Sequence, residues 1–235
     1  DRIRAMQINT VFLQAFADPD GDGVADALYF PNRHLPLRAD LFSRVAWQMK
    51  TRAEVKVFVW MPVLAFTLPD ADLNEALAVR AADNSHEQRY HRLSPFYSDA
   101  RRIISEIYDD LGRGSSFAGV LFHDDAFLTD QEDVGARNRQ PEAVGLNSAD
   151  KTQYLIDFTH ELSGVLRRWH PGLRTARNMY ARVLHEPVSE QWFAQNYLAF
   201  LENYDYTALM AMPFMENVAE PEKWLKDTIR LVADS

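Results

Sequence analysis

Three titratable residues, His123, Asp124 and Asp125, follow one another directly after the apolar run of residues 117–122. Carboxyl groups in such a place can donate protons or bind cations, and glycoside hydrolysis uses a proton donor with a second carboxylate about 5–9.5 Å away. Consecutive residues of an extended chain point to opposite faces, so we expect Asp124 and Asp125 to do different jobs. One would face a substrate, and the other would orient a neighbour or cap the following helix.

The second carboxylate must come from elsewhere in the chain, because adjacent residues rarely fill both catalytic roles. Glu216, after the run MAMPFM, is the candidate, with a surface glutamate as the alternative interpretation. Aromatic and polar residues at the ends of apolar runs are predicted to bind sugar, although such aromatics also serve as core and such polar groups also bridge strands. The predicted substrate-binding residues at run ends are Gln14, Phe16, Trp60, His123, Asn178, Tyr180 and Phe214, and Arg92, which precedes a helix, is predicted to line the mouth of the site.

Acidic residues also raise the question of a metal. Residues 18–23, DPDGDG, match the start of a calcium loop, but Tyr29 stands at the twelfth position, where such loops carry glutamate. A turn rich in Asp and Gly is the favoured interpretation. His123 and its two neighbours are metal-ligand types, yet the other histidines lack an H-E-x-x-H spacing. No metal and no cofactor are therefore predicted.

Five apolar runs, with helical periodicity between them, would position these residues. The runs are residues 7–16, 55–63, 117–122, 174–180 and 206–212, and the helical segments are residues 37–52, 100–111, 150–169 and 189–201. The alternation indicates an α/β fold with a parallel sheet. Polar residues at the ends of the runs, and the lack of a G-x-G-x-x-G turn, favour a (β/α) TIM-type barrel over a doubly wound sheet.

The barrel is expected to be incomplete, because about five βα units are visible against the eight of a complete barrel. Residues 1–235 are predicted to form a single barrel domain. The long connections, residues 18–36 and 64–95, are expected to lie over its mouth, as functional loops do.

Composition narrows the classes of partner. The 235 residues carry a formal net charge of −9, which disfavours nucleic acid and favours a neutral or cationic ligand. No apolar run approaches the roughly 20 residues that span a bilayer, so no direct membrane insertion by this domain is expected.

Several longer motifs occur in a fixed order along nearly the whole chain. They are VFLQAFADPDGDG, ALYFPNRHLPLRADLFSRVAWQMKTR, WMPVLAF, YHRLSPF, GVLFHDDAFLTDQED, LRTARNMYA, WFAQNYLAFLENYDY and ALMAMPFMENVAE. Together they resemble the carboxyl-terminal glycoside hydrolase-like domain of the poly-β-1,6-N-acetyl-D-glucosamine N-deacetylase PgaB family, glycoside hydrolase family 153. The resemblance implies a (β/α) barrel excised from a longer protein, whose amino-terminal deacetylase domain is absent here.

The resemblance also implies a function. It is an endo-acting glycoside hydrolase that binds and cleaves partly deacetylated poly-β-1,6-N-acetylglucosamine, with substrate binding and proton donation carried by Asp124 and Asp125. The alternative is a non-catalytic module that guides the polymer for deacetylation and export. The family context implies a periplasmic parent protein, associated with the outer membrane, with an export porin as partner. Glucosamine amines are largely cationic at neutral pH, which agrees with the negative charge of the chain.

Overall fold

The structure is a computed structural model that describes residues 2–81, 91–133 and 145–233. Its strands are β1 (Thr10–Gln14), β2 (Phe16–Ala17), β3 (Ala27–Leu28), β4 (Lys56–Met61), β5 (Gly119–Phe122), β6 (Arg174–Tyr180) and β7 (Tyr206–Met210). Five of these described strands form one parallel sheet in the order β1-β4-β5-β6-β7, whereas β2 and β3 form a separate antiparallel ribbon. Each strand of the sheet is therefore added beside the preceding one, as in a barrel.

Helices connect the strands. They are α1 (Arg2–Ala5), α2 (Phe42–Gln48), α3 (Ala71–Ala76), α4 (Ser98–Gly114), α5 (Ser148–Arg167), α6 (Arg182–His185), α7 (Glu190–Phe193), α8 (Tyr197–Asn203) and α9 (Pro221–Ala233), with a π-helical turn at Met49–Ala53 and a 3₁₀ turn at Pro187–Ser189. The longest, α5, begins with a capping box in which Asn147 and Asp150 bind each other's backbone N–H groups. Helix α4 packs against it.

The two faces of the sheet carry separate sets of apolar side chains, because successive strand residues point to opposite sides. Val57, Val59 and Val120 belong to the main core with the helices. On the opposite face, Phe58 and Leu121 form a smaller cluster with Ala176. Helices thus cover one face of the sheet, and on the other face the side chains of the curled sheet pack against one another.

Contacts across the concave face show this curvature. The ring of Phe58 on β4 lies 5.9 Å from that of Tyr206 on β7, although β5 and β6 separate the two strands. On the other side, Phe12 on β1 lies 5.5 Å from Phe58. Gly119 makes room for this ring, since an added Cβ would come within 2.2 Å of Phe58. The predicted (β/α) barrel is confirmed, as an incomplete, curled half-barrel.

All five predicted strands are confirmed, each within its predicted run. The prediction of one helix over residues 189–201 is wrong. Ala194 adopts a left-handed conformation, with φ of 48°, and the Asn196 side chain accepts the N–H of Ala199 to start α8. The helix predicted from residue 37 begins only at Phe42, because Arg38 N–H donates to the carbonyl of Leu28 and extends the β3 ribbon.

The two long connections pack on each other. Ala25 N–H donates to the carbonyl of Ala65, and Thr67 N–H donates to the carbonyl of Ala25. They follow β1 and β4, so they begin at the edge where the parallel strands end. Residues 82–90 of the second connection lie outside the described part. Among the described helices, none is both long enough and apolar enough to cross a membrane.

Candidate active site

The His123-Asp124-Asp125 turn lies at the carboxyl edge of the sheet. Strand β5 ends at Phe122, which is in register with Met61 of β4 and Arg177 of β6. His123 N–H continues the ladder by donating to the carbonyl of Met61 at 3.0 Å. In parallel barrels this edge is where functional groups gather, because all strand ends and the loops that follow meet there.

Asp125 points inward and is fully buried. Its Oδ2 accepts the backbone N–H groups of Val63, Leu64 and Ala65 at 2.9, 2.5 and 2.7 Å, and its Oδ1 accepts Val63 N–H at 3.0 Å. Burial acts to raise the pKa of this carboxyl, but His123 and the backbone N–H groups outweigh burial and hold the pKa below its usual value. Asp125 is therefore an anion that fixes the chain after β4.

Asp124 lies on the other side of the turn and keeps 17% of its side chain exposed. Its Oδ1 lies 2.9 Å from His123 Nε2, and its Oδ2 accepts the Tyr180 hydroxyl at 3.0 Å. Burial raises the pKa of Asp124, yet the hydrogen bonds and charge of these neighbours lower it overall. The structure thus places two consecutive aspartates in different environments, one part-exposed and one fully enclosed.

His123 lies between the two carboxylates. Besides the contact with Asp124, its Nδ1 lies 3.7 Å from Asp125 Oδ1, and only 12% of its side chain is exposed. Burial lowers the pKa of the imidazole, but the two aspartates outweigh burial and raise the pKa to about 9. At neutral pH His123 is therefore an imidazolium, and it carries the proton of this group.

Aromatic rings surround the turn. Trp60 lies with its ring centroid 5.2 Å from that of His123, and Phe16 approaches both at 6.2 and 5.9 Å. Tyr180 is stacked on Phe193 with centroids 4.4 Å apart. Rings that are wedged in this way lose little entropy when a flat sugar face packs on them, so they suit carbohydrate binding.

Buried cations hold the loop that follows the turn. Arg177 donates from Nη1 to the carbonyl of His123 at 2.9 Å and from Nη2 to that of Ala126 at 2.5 Å, so its guanidinium spans the two aspartates. Further along, Lys151 Nζ donates to the carbonyls of Thr129 and Glu132 at 2.7 and 2.5 Å. The backbone around Asp124 is thereby fixed from two other elements, β6 and α5.

Arg92 was expected at the mouth, but the structure places it beneath this loop. It is 1% exposed, donates to the carbonyl of Phe127, and pairs with Glu132 at 2.5 Å. Its guanidinium also lies 3.8 Å from the centroid of the Phe127 ring. A carbonyl group, a buried carboxylate and a ring face surround the guanidinium, so Arg92 lies beneath the loop and not at the surface of the site.

The remaining predicted residues are spread along the same edge. Gln14 is exposed, but its Nε2 donates to the carbonyl of Phe16 at 2.9 Å. Asn178 is 8% exposed within β6, whereas Phe214 is 82% exposed on the turn after β7. Glu216, on the same turn, lies 4.0 Å from Arg182 and keeps 19% of its side chain exposed. Contacts join Trp60 on β4, the turn after β5 and Tyr180 on β6, and Glu216 lies beside Arg182.

Sequence reasoning missed the groups that support Tyr180 from α7 and its neighbours. Phe193 stacks on the Tyr180 ring, and the buried Gln195 accepts Tyr180 N–H at its Oε1 at 3.0 Å. Both lie in the segment where one continuous helix was predicted. The helix breaks between them at Ala194, and the apolar periodicity of the segment carried no signal of that break.

The three aspartates of residues 18–23 form a separate acidic turn. Oxygen atoms of Asp18, Asp20 and Asp22 lie within 4.8 Å of one another. Asp18, however, uses both carboxylate oxygens to accept the N–H groups of Gly21, Asp22 and Gly23 at 2.8–3.1 Å. Carboxylate oxygens suit Ca²⁺, and those of Asp18 also close the turn through these hydrogen bonds, as expected of a turn rich in Asp and Gly.

Comparison with known proteins places this geometry in a family. The family described as "Hypothetical glycosyl hydrolase family 13" matches residues 1–235. The chain is 44% identical over 247 residues to the poly-β-1,6-N-acetyl-D-glucosamine N-deacetylases of Escherichia coli strains K12 and O157:H7, which covers 95% of this chain and 37% of each relative. The chain therefore spans little more than a third of the length of these relatives.

Solved structures agree. The PgaB (BpsB) glycoside hydrolase domain from Bordetella bronchiseptica has a TM-score of 0.89 at 44% identity, over 96% of this chain and 70% of that one. The α-L-fucosidase isoenzyme 2 from Paenibacillus thiaminolyticus shares the fold alone, with a TM-score of 0.54 at 17% identity over 75% of this chain and 28% of that one. The resemblance that the motifs indicated is thus confirmed: the chain belongs to hypothetical glycosyl hydrolase family 13 and to the PgaB family of glycoside hydrolase domains.

Proposed function

We propose that the chain is an endo-acting glycoside hydrolase that binds and cleaves partly deacetylated poly-β-1,6-N-acetyl-D-glucosamine. The observation that carries the proposal is Asp124, a part-exposed carboxylate held at the carboxyl edge of the half-barrel by His123 and Tyr180. The glycoside hydrolase family supports the reaction type. The polymer is the one named for the E. coli relatives.

In this proposal Asp124 delivers a proton to the glycosidic oxygen, and Asp125 keeps the turn in place. Glu216 supplies the second carboxylate from the turn after β7, where its side chain is part-exposed. Trp60, with Phe16 behind it, offers a platform to a sugar ring beside His123. Phe214, which is almost fully exposed, extends that surface toward Glu216.

Gln14 and Asn178 are the proposed hydrogen-bonding groups for hydroxyl and acetamido groups. They lie on β1 and β6, on either side of the central strands. Side-chain amides can donate and accept at the same time, which suits the mixed donors and acceptors of a sugar.

A second function, a binding module without turnover, is favoured by the ionised state of Asp124. Its lowered pKa keeps the carboxylate charged at neutral pH, and a glucosamine ammonium group is a suitable partner for such an anion. In the longer protein this module would hold the polymer for deacetylation and for an export porin, in the periplasm at the outer membrane.

The two functions are separated by an Asp124→Asn variant, with Asp72→Asn on the exposed surface of α3 as the matched control. Each protein is mixed with partly deacetylated polymer, the products are identified by mass spectrometry, and binding is measured by calorimetry. The hydrolase proposal expects short oligosaccharides from the parent and from Asp72→Asn, and none from Asp124→Asn, because a proton donor contributes about 10²–10⁴-fold to the rate. Intact polymer with measurable binding by the parent would instead identify the binding module.

A further inference from the structure

The proposed acid presents a problem of protonation. A group that donates a proton to a leaving oxygen must hold that proton when the bond breaks. Both aspartates of the turn have lowered pKa values and are ionised at neutral pH. The proton of the group therefore lies on a third residue before the reaction begins.

The geometry identifies that residue. His123 Nε2 lies 2.9 Å from Asp124 Oδ1, within reach of direct proton transfer. On its other side, Nδ1 faces the anion of Asp125, which is fixed by backbone N–H groups and has no exposed surface. A buried carboxylate, an imidazole and a part-exposed reactive group follow one another in this order, as they do in triads that move protons.

We propose that His123 is a positioning residue that stores the proton which Asp124 delivers to the oxygen of the leaving sugar; this inference rests on the proposed hydrolase function. As a substrate covers the site, the proton passes from His123 Nε2 to Asp124, which becomes a neutral acid. Asp124 protonates the glycosidic oxygen as its bond to the anomeric carbon breaks and the electron pair stays on that oxygen. Water adds to the anomeric carbon, and the proton that it releases returns to the imidazole, so the sum is hydrolysis.

The surroundings of His123 favour this role. From β4 and β2, the rings of Trp60 and Phe16 cover the imidazole without a titratable group. From β6, the Arg177 guanidinium binds the carbonyl of His123, and Tyr180 holds Asp124 in place. From α4, the Tyr108 hydroxyl donates to the carbonyl of Pro62 at 2.8 Å, near Asp125.

The two aspartates dominate the titration of the imidazole. Both contact it directly, and their charges keep its proton bound up to a pKa of about 9, despite the burial of the ring. Activity that depends on this proton should fall as the pH rises through that value.

The test is the pH profile of cleavage for His123→Gln, which keeps an N–H donor but cannot titrate. His34→Gln is the matched control, since His34 forms a 2.6 Å pair with Glu106 away from the turn. We expect His123→Gln to lose about 10²-fold in kcat with little change in KM. Its alkaline limb should move to lower pH, because the proton must then reside on Asp124 alone. The amines of the substrate titrate equally in all three profiles, so differences between the profiles belong to the protein.

NMR titration of the His123 imidazole provides a readout that needs no turnover. We expect a pKa near 9 in the parent protein and a clearly lower value in Asp124→Asn, where a charged neighbour is removed. Cleavage by the parent with an unchanged alkaline limb in His123→Gln, or a neutral imidazole at pH 7, would overturn the inference alone. No cleavage by the parent would overturn the proposed function and this inference with it.

Discussion

Asp125→Asn should destabilise the protein more than the same change at Asp124. In the parent, Asp125 Oδ2 accepts three backbone N–H groups, from Val63, Leu64 and Ala65. An amide oxygen can occupy that place, but each bond then loses its charge assistance. The new NH₂ group must occupy the place of Oδ1, where it meets the Val63 N–H at 3.0 Å, donor against donor.

The size of the effect follows from these contacts. A hydrogen bond to a charged group contributes about 1.5–3 kcal/mol, against about 0.5–1.5 kcal/mol for a neutral one, so three bonds lose about 3 kcal/mol together. The donor clash and the loss of the anion beside His123 bring the total to about 3–5 kcal/mol, in the range found when buried charge pairs are broken. For a domain of this size that corresponds to a fall in Tm of roughly 6–20 °C.

Urea unfolding, followed by circular dichroism, measures the difference. Asp124→Asn is the matched control, since its carboxylate is part-exposed and accepts the Tyr180 hydroxyl besides its contact with His123, whereas Asp125 anchors three consecutive backbone N–H groups. We expect about 1.5–3 kcal/mol from the control, because it loses a charge-assisted contact with His123 but no anchor of the backbone. If both variants unfold at the same urea concentration, Asp125 does not anchor the chain after β4 and the reasoning fails.

Three further outcomes are expected. Folding raises the pKa of His123 from 6.5 to about 9, so the protonated imidazole stabilises the protein by at most about 3 kcal/mol. This stabilisation should be complete below pH 6.5 and lost as the pH rises through 9. Urea midpoints of the parent that stay parallel to those of His123→Gln over this range would contradict it. Tyr180→Phe should raise the pKa of Asp124 by removing a hydrogen bond that lowers it, as ¹³C NMR of the carboxyl can show, while the stacked ring is preserved. Gly119→Ala should cost about 1–3 kcal/mol in thermal unfolding, because its Cβ would meet the Phe58 ring at 2.2 Å, whereas Gly164→Ala in α5 meets nothing within 4 Å and should not destabilise.

The strands were predictable because each is an apolar run of the right length, bounded by a polar or acidic segment. The strand over residues 174–180 was predictable although it contains two arginines and an asparagine, because the alternation of strands with helices fixes its place in the sheet. The segment of residues 189–201 shows why it fails elsewhere. The apolar spacing there is helical, but the Asn196 cap and the turn at Ala194 depend on local hydrogen bonds that periodicity does not register.

The site was predictable in position and less so in detail. The sequence placed Asp124 and Asp125 at a strand end and implied opposite orientations for them, but which one turns inward depends on the turn after β5. The orientation is settled by contacts that are distant in sequence, such as the N–H groups at Val63 and Leu64. Arg92 shows the same limit. The sequence predicted it at the mouth of the site, but in the structure it is buried and pairs with Glu132.

The buried cations explain how a turn can keep one aspartate available while its neighbour is enclosed. Removing charges such as Arg177 and Lys151 from water costs free energy that their hydrogen bonds to carbonyl groups only partly offset, so they are a poor source of stability. What they provide is position, because Arg177 binds carbonyl groups on both sides of the aspartate pair and holds the turn between them. A proton donor works only within a few tenths of an ångström of its target geometry. Buried cations that fix the position of Asp124, at a cost in stability, therefore agree with catalysis at this turn.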